Sequence, residues 1–185
     1  MAKNVEIIEK LKKGNEVYVV SKANPGDISA EIRKDTAENG QHPYAIVVTC
    51  ADSRVVPEHI FSCGLGELFT IRVAGNIVGE SELGSIEYAA GHLHSKVVII
   101  LGHTNCGAVG AAIEGVNEGF VSCITKRIRE SIGEEKDGYK ASAINAKTEA
   151  AYVKEKLTGH HEISMDDMDI IPAVYDIKTG KVEWL

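Results

Sequence analysis

The sequence predicts an α/β domain: a mainly parallel central β-sheet flanked by helices, with an antiparallel hairpin at its C-terminal edge. Three observations predict it. The apolar, β-branched runs Ala45-Ile46-Val47-Val48-Thr49 and Val97-Val98-Ile99-Ile100-Leu101 read as strands buried on both faces. Segments with apolar residues at helical spacing lie between and after these runs. The chain ends in two apolar runs joined by Lys178-Thr179-Gly180-Lys181, a hairpin signal with glycine in the turn.

Each element follows from local pattern. Val5, Ile8 and Leu11 recur at helical spacing, and Lys12-Lys13-Gly14 supplies a stop, so a short N-terminal helix is expected. Residues 21–42 are polar and punctuated by Gly and Pro, with room for a helix over about 28–38. The first strand, 45–50, ends at Cys50. A short helix over 56–62 follows, with Pro57 in its first turn, where a missing N–H costs little. A second strand covers 68–73. Ser81 is the expected N-cap of a helix to about Leu93, with Ile86, Ala90 and Leu93 as its buried stripe. The third strand covers 96–101. Residues 107–113 read as a closely packed helix, with Gly102, Gly107 and Gly110 as packing and turn glycines. Val121, Ile124, Ile128 and Ile132 mark another helix, and Ala143, Ala146, Ala150, Val153 and Leu157 mark one over 141–157. The hairpin takes 170–177 and 182–185.

At 185 residues the chain is expected to form a single domain over 1–185, with an N-terminal helical arm over about 1–40. The net charge of −7 and the lack of a basic run argue against nucleic acid or an anionic membrane as the main partner. No stretch approaches the ~18–20 apolar residues of a membrane span. The first residues lack the apolar core of a secretory signal. Four cysteines then read as thiols or metal ligands rather than a disulfide framework, and a cytoplasmic location is expected.

The chemistry gathers where the two apolar strands end. Cys50 closes the first, and His103 and Cys106 follow the third. Ligands bind beyond the carboxyl ends of strands in open α/β sheets. Two Cys and one His are three of zinc's four ligands, which leaves a position for water, as in catalytic sites. Taken alone, His103-x-x-Cys106 also fits a buried thiol beside a satisfied histidine. Cys50 on another strand, with Asp52 and Arg54 just beyond it, favours the metal site. Two thiolates cancel the charge of zinc, so the ion is a weaker Lewis acid than one held by three histidines. Asp52 can accept a hydrogen bond from the nucleophile and aim it, and Arg54 can hold Asp52 ionised and off the metal. Freed from Arg54, Asp52 is a natural fourth ligand that closes the site.

These residues resemble the β-class carbonic anhydrases. The likeness rests on Cys50-x-Asp52-Ser53-Arg54-Val55 and on Gly102-His103-Thr104-Asn105-Cys106-Gly107-Ala108-Val109. It extends to Phe69-Thr70-Ile71-Arg72-Val73-Ala74-Gly75-Asn76, Ile86-Glu87-Tyr88-Ala89-Ala90 and the hairpin at Val174-Tyr175-Asp176-Ile177, roughly 41–113 and 172–182 in all. The resemblance implies zinc held by Cys50, His103 and Cys106, with Asp52 and Arg54 as a gating dyad and Asp52 as a conditional fourth ligand. It implies reversible hydration of carbon dioxide to bicarbonate and a proton by zinc hydroxide. It also implies an obligate homodimer, often paired into tetramers, in which Gln41 hydrogen-bonds substrate across the interface.

Some positions depart from the family. A subset carries Trp three residues before the first Cys, in a non-catalytic bicarbonate site; this chain has Val47, so no such site is expected despite Arg72. The 76–86 loop is short and lacks the active-site Tyr of plant-type members, which leaves the proton route open. Other candidates read as ordinary structure. Cys63 and Cys123 are expected to be buried structural thiols, and His59 a surface or capping residue. His92, His94, His160 and His161 are expected to be exposed or at interfaces, with His160-His161 a possible adventitious metal pair. Lys126, Arg127 and Arg129 are expected on a solvated helix face. Two rival functions share the motifs: hydrolysis of carbonyl sulfide or carbon disulfide, and an inactive zinc-binding relative.

Overall fold

The computed structural model describes residues 2–158 and 167–185. The His160-His161 pair lies outside the described residues. Five strands form one sheet: β1 (Ala45–Thr49), β2 (Leu68–Arg72), β3 (Val97–His103), β4 (Asp169–Tyr175) and β5 (Val182–Trp184), in the order β2-β1-β3-β4-β5. All neighbours pair in parallel except β4 and β5, which are antiparallel. The expected fold class is the observed one.

The alternation of side chains along β1 and β3 decides what covers each face. Ala45, Val47, Val97, Ile99 and Leu101 pack with α1 (Ala2–Val20) and α3 (Pro57–Ile60), through Leu11, Ile60 and Phe61. Ile46, Val48, Val98 and Ile100 pack on α4 (Glu80–Gly91) and α7 (Gly138–Leu157), through Ile86, Ala90, Ala146, Ala150 and Val153. Every residue of β1 and β3 is buried, as their unbroken apolar runs require. A third cluster joins α5 (Gly107–Ile113) to α6 (Val121–Ile132) and includes Cys50 and Cys106, so the candidate ligands are built into packed apolar surroundings.

Several expectations need correction. The N-terminal helix does not stop at Gly14 but runs on to Val20. Gly14 serves a close approach instead: a Cβ there would lie 2.0 Å from the Phe61 carbonyl oxygen. Tertiary contacts carry the helix through the glycine. Leu11 is fully buried, and Asn15 donates to the carbonyls of Ile60 and Gly180 while accepting from Val182 N–H. The α4 N-cap is Gly79, whose N–H donates to Glu82, and Ser81 lies inside the helix. A Cβ at Gly102 would meet the Ser142 carbonyl at 3.1 Å, but Gly107 and Gly110 face open space and are not packing glycines. Cys63 is buried, whereas Cys123 is exposed. Arg127 and Arg129 do not simply face solvent. Arg127 forks onto the buried Glu149, and Arg129 donates to the Val116 carbonyl. The helix expected near 28–38 is α2 (Ala30–Asn39), capped by the Ser29 hydroxyl and burying none of its own residues.

Candidate metal centre

From β1 the chain crosses to β2 on one side and then to β3 on the other, so the strand order reverses between the parallel neighbours β1 and β3, and a ligand crevice is expected there. Thr49 is in register with Leu101 and its hydroxyl donates to the Leu101 carbonyl at 2.8 Å, so β1 ends opposite Leu101 while β3 runs on to His103. Cys50 therefore emerges beside His103. After His103 the chain must reverse sharply, and Asn105 adopts φ 54 to do so, a left-handed conformation that asparagine tolerates better than most residues. That turn brings Cys106, at the head of α5, back toward the other two ligands.

The donor atoms of Cys50, His103 and Cys106 all lie within 4.8 Å of one another, and all three residues are buried. Nδ1 of His103 lies 2.9 Å from the Thr104 carbonyl, which makes Nδ1 the protonated nitrogen and leaves a lone pair on Nε2. Nε2 is buried with no hydrogen-bond partner among the described residues. A fully buried imidazole nitrogen without a partner is costly unless something binds it. Cys50 Sγ accepts from Gly75 N–H at 3.3 Å. The neighbouring Cys106 side chain holds the Cys50 thiol below its ordinary range, against the opposing effect of burial. The same contact, together with burial, pushes the Cys106 thiol up. Paired thiolates with no cation between them repel, so the pair is suited to a positive ion.

Asp52 is turned toward Arg54 by both oxygens: Nε donates to Oδ1 at 3.0 Å and Nη2 to Oδ2 at 2.7 Å. The Arg54 backbone N–H adds a third bond to Oδ1. The Arg54 contact holds the Asp52 carboxyl well below the usual carboxylate range, against partial burial. Arg54 also donates to the Asn105 carbonyl, which ties the first motif to the second. Arg72, at the end of β2, donates to the carbonyls of Asp52 and Cys50 and braces the same turn. Sequence reasoning missed this brace, because a backbone acceptor leaves no trace in residue type. Thr104, Asn105, Cys106, Gly110, Tyr139 and Lys178 line a cavity of about 500 Å³.

Five of the six expected site residues thus share one corner. Gln41 does not. It is exposed and precedes β1, whereas Cys50 follows it, so the length of the strand separates them within one chain.

The family described as "Carbonic anhydrase" matches residues 45–182. Carbonic anhydrase 2 of Mycobacterium tuberculosis is 40% identical over 127 residues, 66% of this chain and 61% of that protein. The carbonic anhydrase of Mycolicibacterium smegmatis is 39% identical over 127 residues, with the same shares covered. The chain therefore spans about 61% of the length of these relatives. Among solved structures, the β-carbonic anhydrase CafA of Aspergillus fumigatus superposes with a TM-score of 0.69 at 24% identity, covering 100% of this chain and 88% of that one. Tetrameric β-carbonic anhydrase from Sordaria macrospora gives 0.65 at 22%, covering 84% and 91%. At such identities these two structures show a shared fold.

Proposed function

The chain belongs to the β-class carbonic anhydrase family, and from that premise we propose that it is a zinc enzyme catalysing reversible hydration of carbon dioxide to bicarbonate and a proton. The observation that carries the reading is His103 Nε2, buried and without a partner among the described residues, within 4.8 Å of two thiol sulfurs. A nitrogen and two sulfurs suit zinc, and Cys50, His103 and Cys106 would hold it. Zinc so held would supply a Lewis acid that makes water a nucleophile near neutral pH.

The protein's own groups do the positioning. Asp52 accepts a hydrogen bond from the attacking oxygen and aims its lone pair at the carbon of carbon dioxide. Arg54 takes both carboxylate oxygens, which keeps Asp52 ionised and directed away from the metal ligands. A C–O bond then forms between the water oxygen and the carbon as one C=O π bond opens onto its own oxygen, and one O–H bond of the water breaks to release a proton to buffer. We propose that the chain works as a homodimer, which can pair into a tetramer. The exposed Gln41 and a helix α2 that buries none of its own residues support a partner copy covering this arm. In that dimer Gln41 would reach the partner's substrate. Four free thiols support a cytoplasmic setting, and no described helix is long and apolar enough to cross a membrane.

Zinc content and stopped-flow hydration of carbon dioxide test the reading together, with hydrogen sulfide release from carbonyl sulfide and carbon disulfide measured beside them. One zinc per chain with rapid hydration is expected. Hydrogen sulfide release with negligible hydration would overturn the substrate. Zinc binding with neither activity would favour an inactive relative.

A further inference from the structure

We propose that Asn145 of α7 is a positioning residue for the metal centre, fixing Gly75 so that its N–H donates to the Cys50 sulfur and tempers the charge that sulfur gives the metal. This rests on the metal-site reading above.

Gly75 is the weak point of the corner. It adopts φ 71, which favours glycine, and a Cβ there would lie 2.6 Å from Ile128 Cδ1. Glycine also constrains its own backbone least. Its N–H nevertheless makes the bond to Cys50 Sγ, at 3.3 Å. Something else must set that direction. Asn145 Nδ2 donates to the Gly75 carbonyl at 2.9 Å, and Asn145 is fully buried. Turning the amide over would put oxygen against oxygen, so this orientation is the one the contact allows. One turn along the same helix, Glu149 accepts from Val78 N–H at 3.2 Å. The loop is therefore held by α7 at both ends, 75 and 78.

The arrangement is poor as a device for stability alone. Asn145 Oδ1 is buried without a partner among the described residues, and so is Nδ2 of the neighbouring Asn76. An apolar side chain at 145 would avoid the first of these. The Nδ2 contact accounts for the asparagine if the aim of Gly75 N–H matters. It matters at a metal with two thiolate ligands, because each sulfur that accepts a hydrogen bond donates less charge and leaves the ion a stronger Lewis acid.

The test uses the full-length protein loaded with cobalt(II), whose thiolate-to-metal charge-transfer absorption reads the sulfur directly. Asn145→Leu removes the donor at similar size. Asn145→Ser serves if the first variant does not fold. Val153→Ala, a buried residue two turns along α7, controls for general loosening. The expected result is a charge-transfer band at lower energy in the Asn145 variants and an unmoved band in Val153→Ala. Metal loss to a chelator should be about 10-fold easier, the low end for outer-shell substitutions. A band coincident with wild type in a folded Asn145 variant, or moved equally by Val153→Ala, overturns the proposal. If wild-type protein shows no thiolate charge-transfer band with cobalt, the metal-site reading itself fails.

Discussion

Replacing Asp52 by Asn keeps the side chain's shape and removes its charge. In the native protein Asp52 receives three hydrogen bonds from Arg54, at 3.0, 2.7 and 2.9 Å. The amide keeps one oxygen, which can still accept from the backbone N–H and Nε. Its NH2 group then faces Nη2, donor against donor, so the 2.7 Å contact is lost. The variant also lacks the ionised acceptor that would take the hydrogen of the attacking oxygen. A hydrogen bond to a charged group contributes about 1.5–3 kcal/mol. The side chain is only 17% exposed, so water replaces little of that. At 1.36 kcal/mol per tenfold, kcat/KM should fall about 10- to 150-fold. Stopped-flow hydration of carbon dioxide, with zinc content measured on the same sample, checks this. A variant with full zinc and a rate within about threefold of wild type, under the smallest change estimated from the bond energy, would refute the role given to Asp52.

Other predictions concern the scaffold. Arg127→Met leaves Glu149, 1% exposed, with the single N–H of Val78. Breaking a buried pair costs about 3–5 kcal/mol, and the 29% exposure of Arg127 favours about 3. Tm should drop about 6–12 °C and recover largely in Arg127→Met/Glu149→Gln, whose amide still accepts from Val78. Gly14→Ala forces a Cβ to within 2.0 Å of a backbone oxygen that no rotamer can relieve. Urea unfolding should show a loss of about 3 kcal/mol, the upper end for overpacking; a loss near zero would mean α1 can shift off α3. Burial pushes the Cys63 thiol up, from 9.0 to about 11. Its folded pKa lies above the unfolded one, so its contribution is complete below about pH 9 and fades as pH rises toward 11. Wild-type stability should therefore fall about 2–3 kcal/mol more than that of Cys63→Ala across this interval, and parallel curves would remove Cys63 from the account.

What could be read in advance depended on whether the signal was local. Strands buried on both faces are apolar over most of their length, so β1 and β3 were legible, although β3 runs on to His103, past its expected end at 101. Cys50, Asp52, Arg54, His103 and Cys106 lie in two short segments whose residue types already name the chemistry. The path of α1 was not legible, because Gly14 reads as a helix stop until Phe61 is seen against it. Arg127 looked like a surface cation because its partner Glu149 is 22 residues away on another helix.

The sequence by itself determined the candidate donor set, the Asp52–Arg54 pair and the parallel sheet that carries them, since each rests on residue identity at short spacing. Only the tertiary structure decided that Nε2 of His103 is the nitrogen left without a partner among the described residues. It alone decided that Arg72 braces the dyad's turn and that Asn145 holds Gly75 against the Cys50 sulfur. These contacts run through backbone carbonyls and amides, which every residue carries alike, so only the folded chain brings them to the metal corner.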